Sequence, residues 1–218
     1  MAITINGTTG VAGVDGSVSA PALTGTDSNT GITFPSADTI KFSTGGVERI
    51  SITNSGISGT GISAGGKFAS YAVINHSTAY NQSAGTFSNG AWRTRDLNTE
   101  VTDADGIVSI SNNQFTLQAG TYLIKAQSPA YRVDQHVIRL YNVTDSSVVG
   151  VGSAGMSSSS FASHTLSTIV VRMTISGTKA FEIQHQCQTS HSTHGLGLQH
   201  GISGADSIYT IVEIYKES

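Results

Sequence analysis

Ser207-Ile208-Tyr209-Thr210-Ile211-Val212-Glu213-Ile214-Tyr215 decides the fold. Its residues alternate with the period of a β-strand, but neither side of the strand is polar. One side carries Ile208, Val212 and Ile214, and the other carries Tyr209, Ile211 and Tyr215. A half-exposed strand shows one apolar and one polar side. Two apolar sides therefore predict one face in the domain core and the other at a subunit interface. A central strand covered by a loop is the alternative. Tyr209, Ile211 and Tyr215 are the candidate interface residues.

The segments before it repeat the same period. Ile169, Val171, Met173 and Ile175 alternate inward in Ile169–Ile175, and Ser176-Gly177-Thr178-Lys179 reads as a turn. Ala180–Gln184 alternates again. Asn113–Leu117 leads through Gln118-Ala119-Gly120 into Thr121–Ala126, and Val133–Val143 is a further strand. Many short strands joined by polar turns predict an antiparallel β-sandwich or barrel rather than a βαβ fold.

Toward the N-terminus the texture changes. Residues 1–66 are rich in Gly, Ser and Thr, whereas all tyrosines, all histidines and the single tryptophan follow Lys67. The small-residue joint Ser63-Ala64-Gly65-Gly66 divides an N-terminal arm, 1–66, from a head domain, 67–218. The arm holds one hairpin signal. Thr39–Ser43 and Val47–Ile52 flank Thr44-Gly45-Gly46, with Ile40, Phe42, Ile50 and Ile52 on one face. A lone hairpin is marginal in water, so this face needs a cover, and sister copies would supply it.

Composition narrows the function. Of the 218 residues 11% are charged and the formal net charge is −3, with no basic cluster, which argues against a nucleic-acid partner. No apolar run is long enough for a spanning helix, so no membrane is expected. MAITINGTTG carries neither a basic nor an apolar signal region, and Cys187 is the only cysteine. The expectation is folding in a reducing cytoplasm without a disulfide.

Candidate chemistry is sparse. His185, His191, His194 and His200 lie close together beside Cys187, but with no zinc-site spacing. Parity places His185 and Cys187 with Phe181 and Ile183, as packed residues. His191 and His194 fall in a polar loop, Ser190–Gly201, where they are open to a partner. Asp103-Ala104-Asp105-Gly106 offers too few oxygens for calcium and reads as a turn. No nucleophile elbow, glycosidase carboxylate pair or phosphate loop occurs, so no enzyme, metal or cofactor is expected. Trp92 with Arg93 and Arg95 could form a sugar-binding shelf. In the structural alternative Trp92 anchors the sandwich edge and the arginines pair with Asp96 or Glu100.

Asn113–Ile124 resembles the strand, glycine turn and aromatic strand of the complement-head and tumour-necrosis-factor-like jelly roll, and Tyr209–Tyr215 resembles its final strand. Trp92–Thr99 and Arg139–Asp145 resemble the phage and bacterial branch of that fold, over about residues 68–217. In the arm, Asn6–Gly10, Val14–Ser17, Pro21–Ile32 and Phe42–Arg49 resemble N-terminal segments of phage fibre and virion-surface proteins. The resemblance implies an antiparallel jelly-roll head, homotrimeric through its inner sheets, with final-strand aromatics packed about the three-fold axis. It also implies an arm that mounts the head on a particle. Long-stalked members carry collagen-like triplets, and none occurs here. The expectation is a cement or decoration protein, made in the host bacterial cytoplasm and carried on the virion surface against the phage major capsid protein. The alternative is a short tail fibre or tailspike tip that joins a tail or baseplate protein and binds a host surface glycan.

Overall fold

A computed structural model describes residues 4–6, 10–12, 15–60 and 68–217. The chain divides into two compact units, Met1–Gly66 and Lys67–Ser218. The joint at Ser63–Gly66, and Gly7–Thr9 and Val14 of the arm phrases, lie outside the described residues.

The arm is built of short antiparallel strands. β1 (Thr4–Asn6) pairs with β2 (Gly10–Ala12), and β3 (Gly16–Ser17) with β4 (Ala20–Pro21). A five-stranded meander then runs through β5 (Leu23–Thr24), β6 (Gly31–Thr33), β7 (Ile40–Thr44), β8 (Val47–Thr53) and β9 (Gly56–Ser58). β7 and β8 form the expected hairpin, with Ile40 opposite Ile52 and Phe42 opposite Ile50. Its turn is two residues long. Gly45 and Gly46 have φ of 58° and 72°, the double left-handed turn that matches strand twist and that a side chain resists. The face that alternation marks as apolar is half open, while Thr33, Ser43 and Ser51 on the other face are buried. Leu23, Ile40 and Ile57 remain exposed on the apolar side. Small side chains let the polar face be covered closely within the arm. The apolar face has no such cover among the described residues.

The head is a jelly-roll sandwich. Its strands are β10 (Phe68–Thr78), β11 (Arg93–Thr94), β12 (Thr99–Thr102), β13 (Val108–Ser111), β14 (Gln114–Leu117), β15 (Gly120–Tyr131), β16 (Asp134–Asn142), β17 (Ser147–Val151), β18 (Gly155–Ser157), β19 (His164–Ile175), β20 (Lys179–Cys187) and β21 (Ser207–Glu217). One sheet has the order β12-β10-β21-β15-β19 and the other β13-β14-β20-β16-β17, with β11 and β18 added to β20 and β16. Every pairing is antiparallel, and outside the hairpins β13–β14 and β16–β17–β18 the chain crosses from one sheet to the other, the jelly-roll path. No described residue is in a helix long and apolar enough to cross a membrane.

Alternation explains the core. Tyr122, Ile124, Phe115, Leu117, Ile138, Leu140, Phe181, Ile183, Val212 and Ile214 are fully buried between the sheets. Val171, Met173 and Ile175 pack against them, as their spacing predicts. Phe115 and Phe181, paired across β14 and β20, stack at 5.7 Å. The turn between β13 and β14 is Asn112-Asn113, both at positive φ, and Asn113 Nδ2 donates to Asp96 Oδ1 at 2.8 Å. Asn tolerates this region better than other side-chain-bearing residues.

The chain enters the head at Phe68 beside Glu217, where β10 and β21 begin and end. The long loops, 79–92, 158–163 and 188–206, and the tight turn 132–133 gather at the other end. They are tied by Arg132 to the Ser159 carbonyl, Tyr131 N to the Gly195 carbonyl and the Phe87–His191 bridge.

Candidate functional site

Three surfaces carry the candidate residues: the outer face of the five-stranded sheet, the loop end, and the outer face of the larger sheet.

On the five-stranded sheet the register lays side chains in rows. Tyr71, Tyr215, Leu123 and Arg172 form one row across β10, β21, β15 and β19. Val73, Glu213, Lys125 and Val170 form the next, and Asn75, Ile211, Gln127 and Thr168 the third. Tyr71 and Tyr215 stack at 6.3 Å, and Tyr71 and Val170 are 55% and 65% exposed. Lys125 and Glu213 lie 3.9 Å apart in the middle row. The Tyr215 hydroxyl donates to Glu213 at 2.6 Å, and this bond raises the Tyr215 pKa. A shallow depression of about 190 Å3 opens between Lys125, Gln127, Thr168, Val170, Ile211 and Glu213. Ile211 and Tyr215 thus stand on this face.

Tyr209 does not. Asn75 pairs with Ile211 but Ser77 pairs with Ile208, so Tyr209 and Thr210 together oppose His76. This β-bulge turns both side chains inward and reverses the alternation beyond it. Tyr209 is 3% exposed, while Ile208, read from the period as a core residue, is 45% exposed. The Tyr209 ring packs 5.3 Å from His76, and its hydroxyl donates to the Gln82 carbonyl. A Cβ on Gly197 would lie 2.4 Å from the Tyr209 ring, so the 188–206 loop also lies close against it. At this position the alternative reading, a strand covered by loops, describes the structure.

Beneath those loops lies a polar core. Arg95, read as a surface arginine, is fully buried. Its Nε donates to Thr210 Oγ1 at 2.8 Å, and its terminal nitrogens donate to the Leu196 carbonyl at 2.7 Å and the Pro129 carbonyl at 3.4 Å. It hydrogen-bonds neither Asp96 nor Glu100, and burial among neutral acceptors brings its pKa down to about 9. Beside it, His136 Nδ1 and His185 Nε2 are 3.0 Å apart, and His136 Nε2 is 2.8 Å from Thr165 Oγ1. His185 Nδ1 has no hydrogen-bond partner among the described residues. A bare lone pair there is less costly than a stranded N–H, so His185 donates to His136 and His136 donates to Thr165. Burial, then the Arg95 charge, lowers both imidazoles, His136 to about 4. Cys187 is buried nearby, and its thiol is pushed up to about 11.

His191 and His194, half-buried rather than open, pack against Tyr131 at 5.4 and 6.3 Å. His191 Nδ1 accepts from the backbone N–H groups of Thr193 and His194, which fixes the loop turn. No three His, Cys, Asp or Glu side chains converge as a metal-ligand set among the described residues. Asp103 accepts from the backbone N–H groups of Ile107 and Val108, both at 2.9 Å, and so closes its own turn.

Trp92 does meet an arginine, but a different one. The Arg139 guanidinium lies 4.1 Å from the Trp92 ring centroid and 5.2 Å from that of Tyr141. Arg139 Nε donates to Gln184 Oε1 at 2.6 Å, and Gln184 Nε2 donates to Glu182 Oε1 at 2.5 Å. Arg93 is exposed and donates only to the Ser88 carbonyl. Arg139 faces Gln184 across β16 and β20, a pairing of distant segments that spacing alone does not reveal.

No protein-family description matches the sequence. No curated protein matches it either. Solved structures similar in chain path include the globular domain of zebrafish complement 1qA protein, at 12% identity over 67% of this chain and 96% of that one, with a TM-score of 0.39. PRD1 vertex protein P5 matches at 16% identity over 70% of this chain and 100% of its own, with a TM-score of 0.44. The Eiger TNF structure from S. frugiperda matches at 12% identity over 68% and 92%, with a TM-score of 0.47.

Proposed function

We propose that this chain is a non-enzymatic structural protein of a tailed phage, carried on the outer surface of the particle as a homotrimer, with cementing or decorating the major capsid protein as its role. The observation that carries the reading is a pair of unlike apolar surfaces on one head. The first is the row face with Tyr71, Leu123, Ile211 and Tyr215. The second is the sandwich edge, where Val151, Met156 and Phe161 are 61%, 59% and 75% exposed. Single exposed apolar residues are ordinary, but a run along one edge marks a contact. A face that meets a different face associates head to tail, and such contacts close into a ring when the rotation between subunits is one third of a turn. Ring closure multiplies weak contacts by effective concentration and needs no deep pocket. The open apolar face of the arm, with Leu23, Ile40, Phe42, Ile50, Ile52 and Ile57, is the docking surface in this reading.

Sedimentation velocity tests it. The wild-type chain sediments as a trimer, and Ile211→Asp or Tyr215→Asp, which would bury a charge at the contact, dissociates it. A wild-type monomer, or trimers unaffected by both substitutions, refutes the reading.

A second reading, a short tail-fibre or tailspike tip bound to a tail or baseplate protein and touching a host glycan, is favoured by the three polar loops gathered opposite the point of chain entry. Copy number in purified particles separates the two: many copies spread over the shell for cement, few at the tail for a fibre.

A further inference from the structure

We infer that the outer face of the larger sheet, around Trp92, Arg139, Tyr141, Gln184 and Glu182, is a binding shelf for a neutral saccharide. The shelf borders the edge proposed for the trimer, since Val151 faces Arg139 and Met156 faces Gln135; sugar affinity and oligomeric state are separate readouts, so either proposal can fail without the other.

The cluster holds unused hydrogen-bonding capacity in place. Arg139 spends only its Nε on the protein, on Gln184. Its two terminal amino groups have no hydrogen-bond partner among the described residues, and neither do the Trp92 indole N–H and the Tyr141 hydroxyl. A structural arginine spends its donors as Arg95 does, on three acceptors in the interior. Arg139 offers a planar fork of N–H groups to the outside.

The cluster is also preorganised. Two aromatic rings and the Gln184 amide fix the guanidinium, and Glu182, only 8% exposed, fixes Gln184. Gln114 Nε2 reaches the other Glu182 oxygen at 3.5 Å. A ligand does not have to order these groups, which removes a major penalty of binding to a flat surface.

Its chemistry suits a sugar. Planar forks of guanidinium, amide and carboxylate match adjacent hydroxyl pairs, and aromatic rings match the apolar face of a pyranose. The Glu182 carboxylate, linked to Arg139 through one amide, offsets its charge and disfavours phosphate or an acidic peptide. Two residues further along the same strands, Val137 faces Gln186, and a groove of about 240 Å3 opens there between Gln135, Val137, Gln186 and Gln188. That step is about 6.8 Å, enough for a second sugar unit beside the first.

Trp92 is the only tryptophan, so fluorescence excited at the red edge of the indole band, where the seven tyrosines do not absorb, reports on this shelf. The probes are glucose, galactose, N-acetylglucosamine, rhamnose and maltotetraose, each taken to about 50 mM, with inorganic phosphate as the anion control. The expected result is a saturable change with at least one neutral sugar and none with phosphate. Affinity in the variants is read by calorimetry, because Arg139 itself perturbs the indole. Arg139→Met weakens binding about tenfold or more, whereas Val101→Ala, exposed on β12 of the other sheet, leaves it unchanged. Gln184→Ala replaces Arg139→Met if the latter loses its native circular dichroism, with the same expected loss. No saturable response to any sugar, saturation by phosphate alone, or unchanged affinity in the folded shelf variant overturns the assignment.

Discussion

The middle of the head sandwich and its loop end bury side chains equally well but by opposite chemistry. In the middle, Phe115, Phe181, Ile124, Ile183 and Ile214 exclude water with no polar partner to satisfy. At the loop end, Arg95, His136, His185, Ser128 and Thr210 are as deeply buried, and they stay in place through directed bonds to loop carbonyls and to one another. The dry region sets how stable the fold is. The polar region fixes the loops, because an acceptor such as the Leu196 carbonyl has only one place to be. It also makes that end sensitive to conditions that leave the middle untouched.

The largest effect should come from the dry side. Phe181→Ala removes a fully buried ring stacked on Phe115 and is expected to destabilise the head by about 3–5 kcal/mol, read from urea unfolding. The loss should be the same at pH 7.5 and pH 5. A strongly pH-dependent loss would blur the distinction between the two regions.

Arg95→Met should cost less, about 2 kcal/mol, because it strands the Leu196 and Pro129 carbonyls while removing a buried charge. Its signature is local. Hydrogen exchange should rise in 188–206 and not in β20 or β21. Uniform exchange across both regions would mean that Arg95 acts as ordinary filling.

The acid response comes next. Folding lowers His136 from an ordinary 6.5 to about 4 and lowers His185 as well. The unfolded chain therefore binds more protons in that window. Stability is fully present above about pH 6.5 and is lost as pH falls toward about 4, where His136 protonates in the folded state too. Asp134 and Asp145, whose pKa values are lowered by hydrogen bonds, contribute only further down. The urea midpoint should drop between pH 7 and pH 4.5, and the drop should be shallower in Arg95→Met, where the charge that depresses both imidazoles is gone. A flat midpoint over that range would contradict the polar-core description.

Tyr209→Phe is the gentlest probe. It keeps the ring against His76 and Gly197 but deletes the hydroxyl bond to Gln82, at about 1 kcal/mol. Faster exchange confined to 79–84 is the expected result, measured by mass spectrometry. No change there would show that ring packing alone holds the loop.

How well the sequence announces these regions follows from the same chemistry. The dry core is legible because each strand contributes alternate residues and no partner has to be known. Ile169, Val171, Met173 and Ile175 can be assigned inward from spacing alone, and the Ile40–Ile52 hairpin follows from two strands and a glycine pair. The polar core is not legible. Arg95 reads as a surface charge until Thr210, Pro129 and Leu196, all distant in sequence, close around it. Tyr209 was misplaced by a single extra residue in β21, which no period can reveal. The Trp92–Arg139 contact is half legible: Trp92 stands out as the single tryptophan, but its arginine lies on β16 and is reached only through sheet pairing. In the arm, alternation found the apolar face but not the buried Ser43 and Ser51 behind it, because small side chains carry no periodic signal.

The pairing of Phe68 with Glu217 has a mechanical consequence. Tension that enters the head at Phe68 and is resisted at the loop end runs along β10, at right angles to the hydrogen bonds that join it to β21 from Phe68–Glu217 to Thr78–Ser207. All of those rungs are loaded in shear at once instead of being peeled apart in turn. A head pulled this way yields only when the whole ladder slips, the loading mode in which a short strand pair withstands the most force.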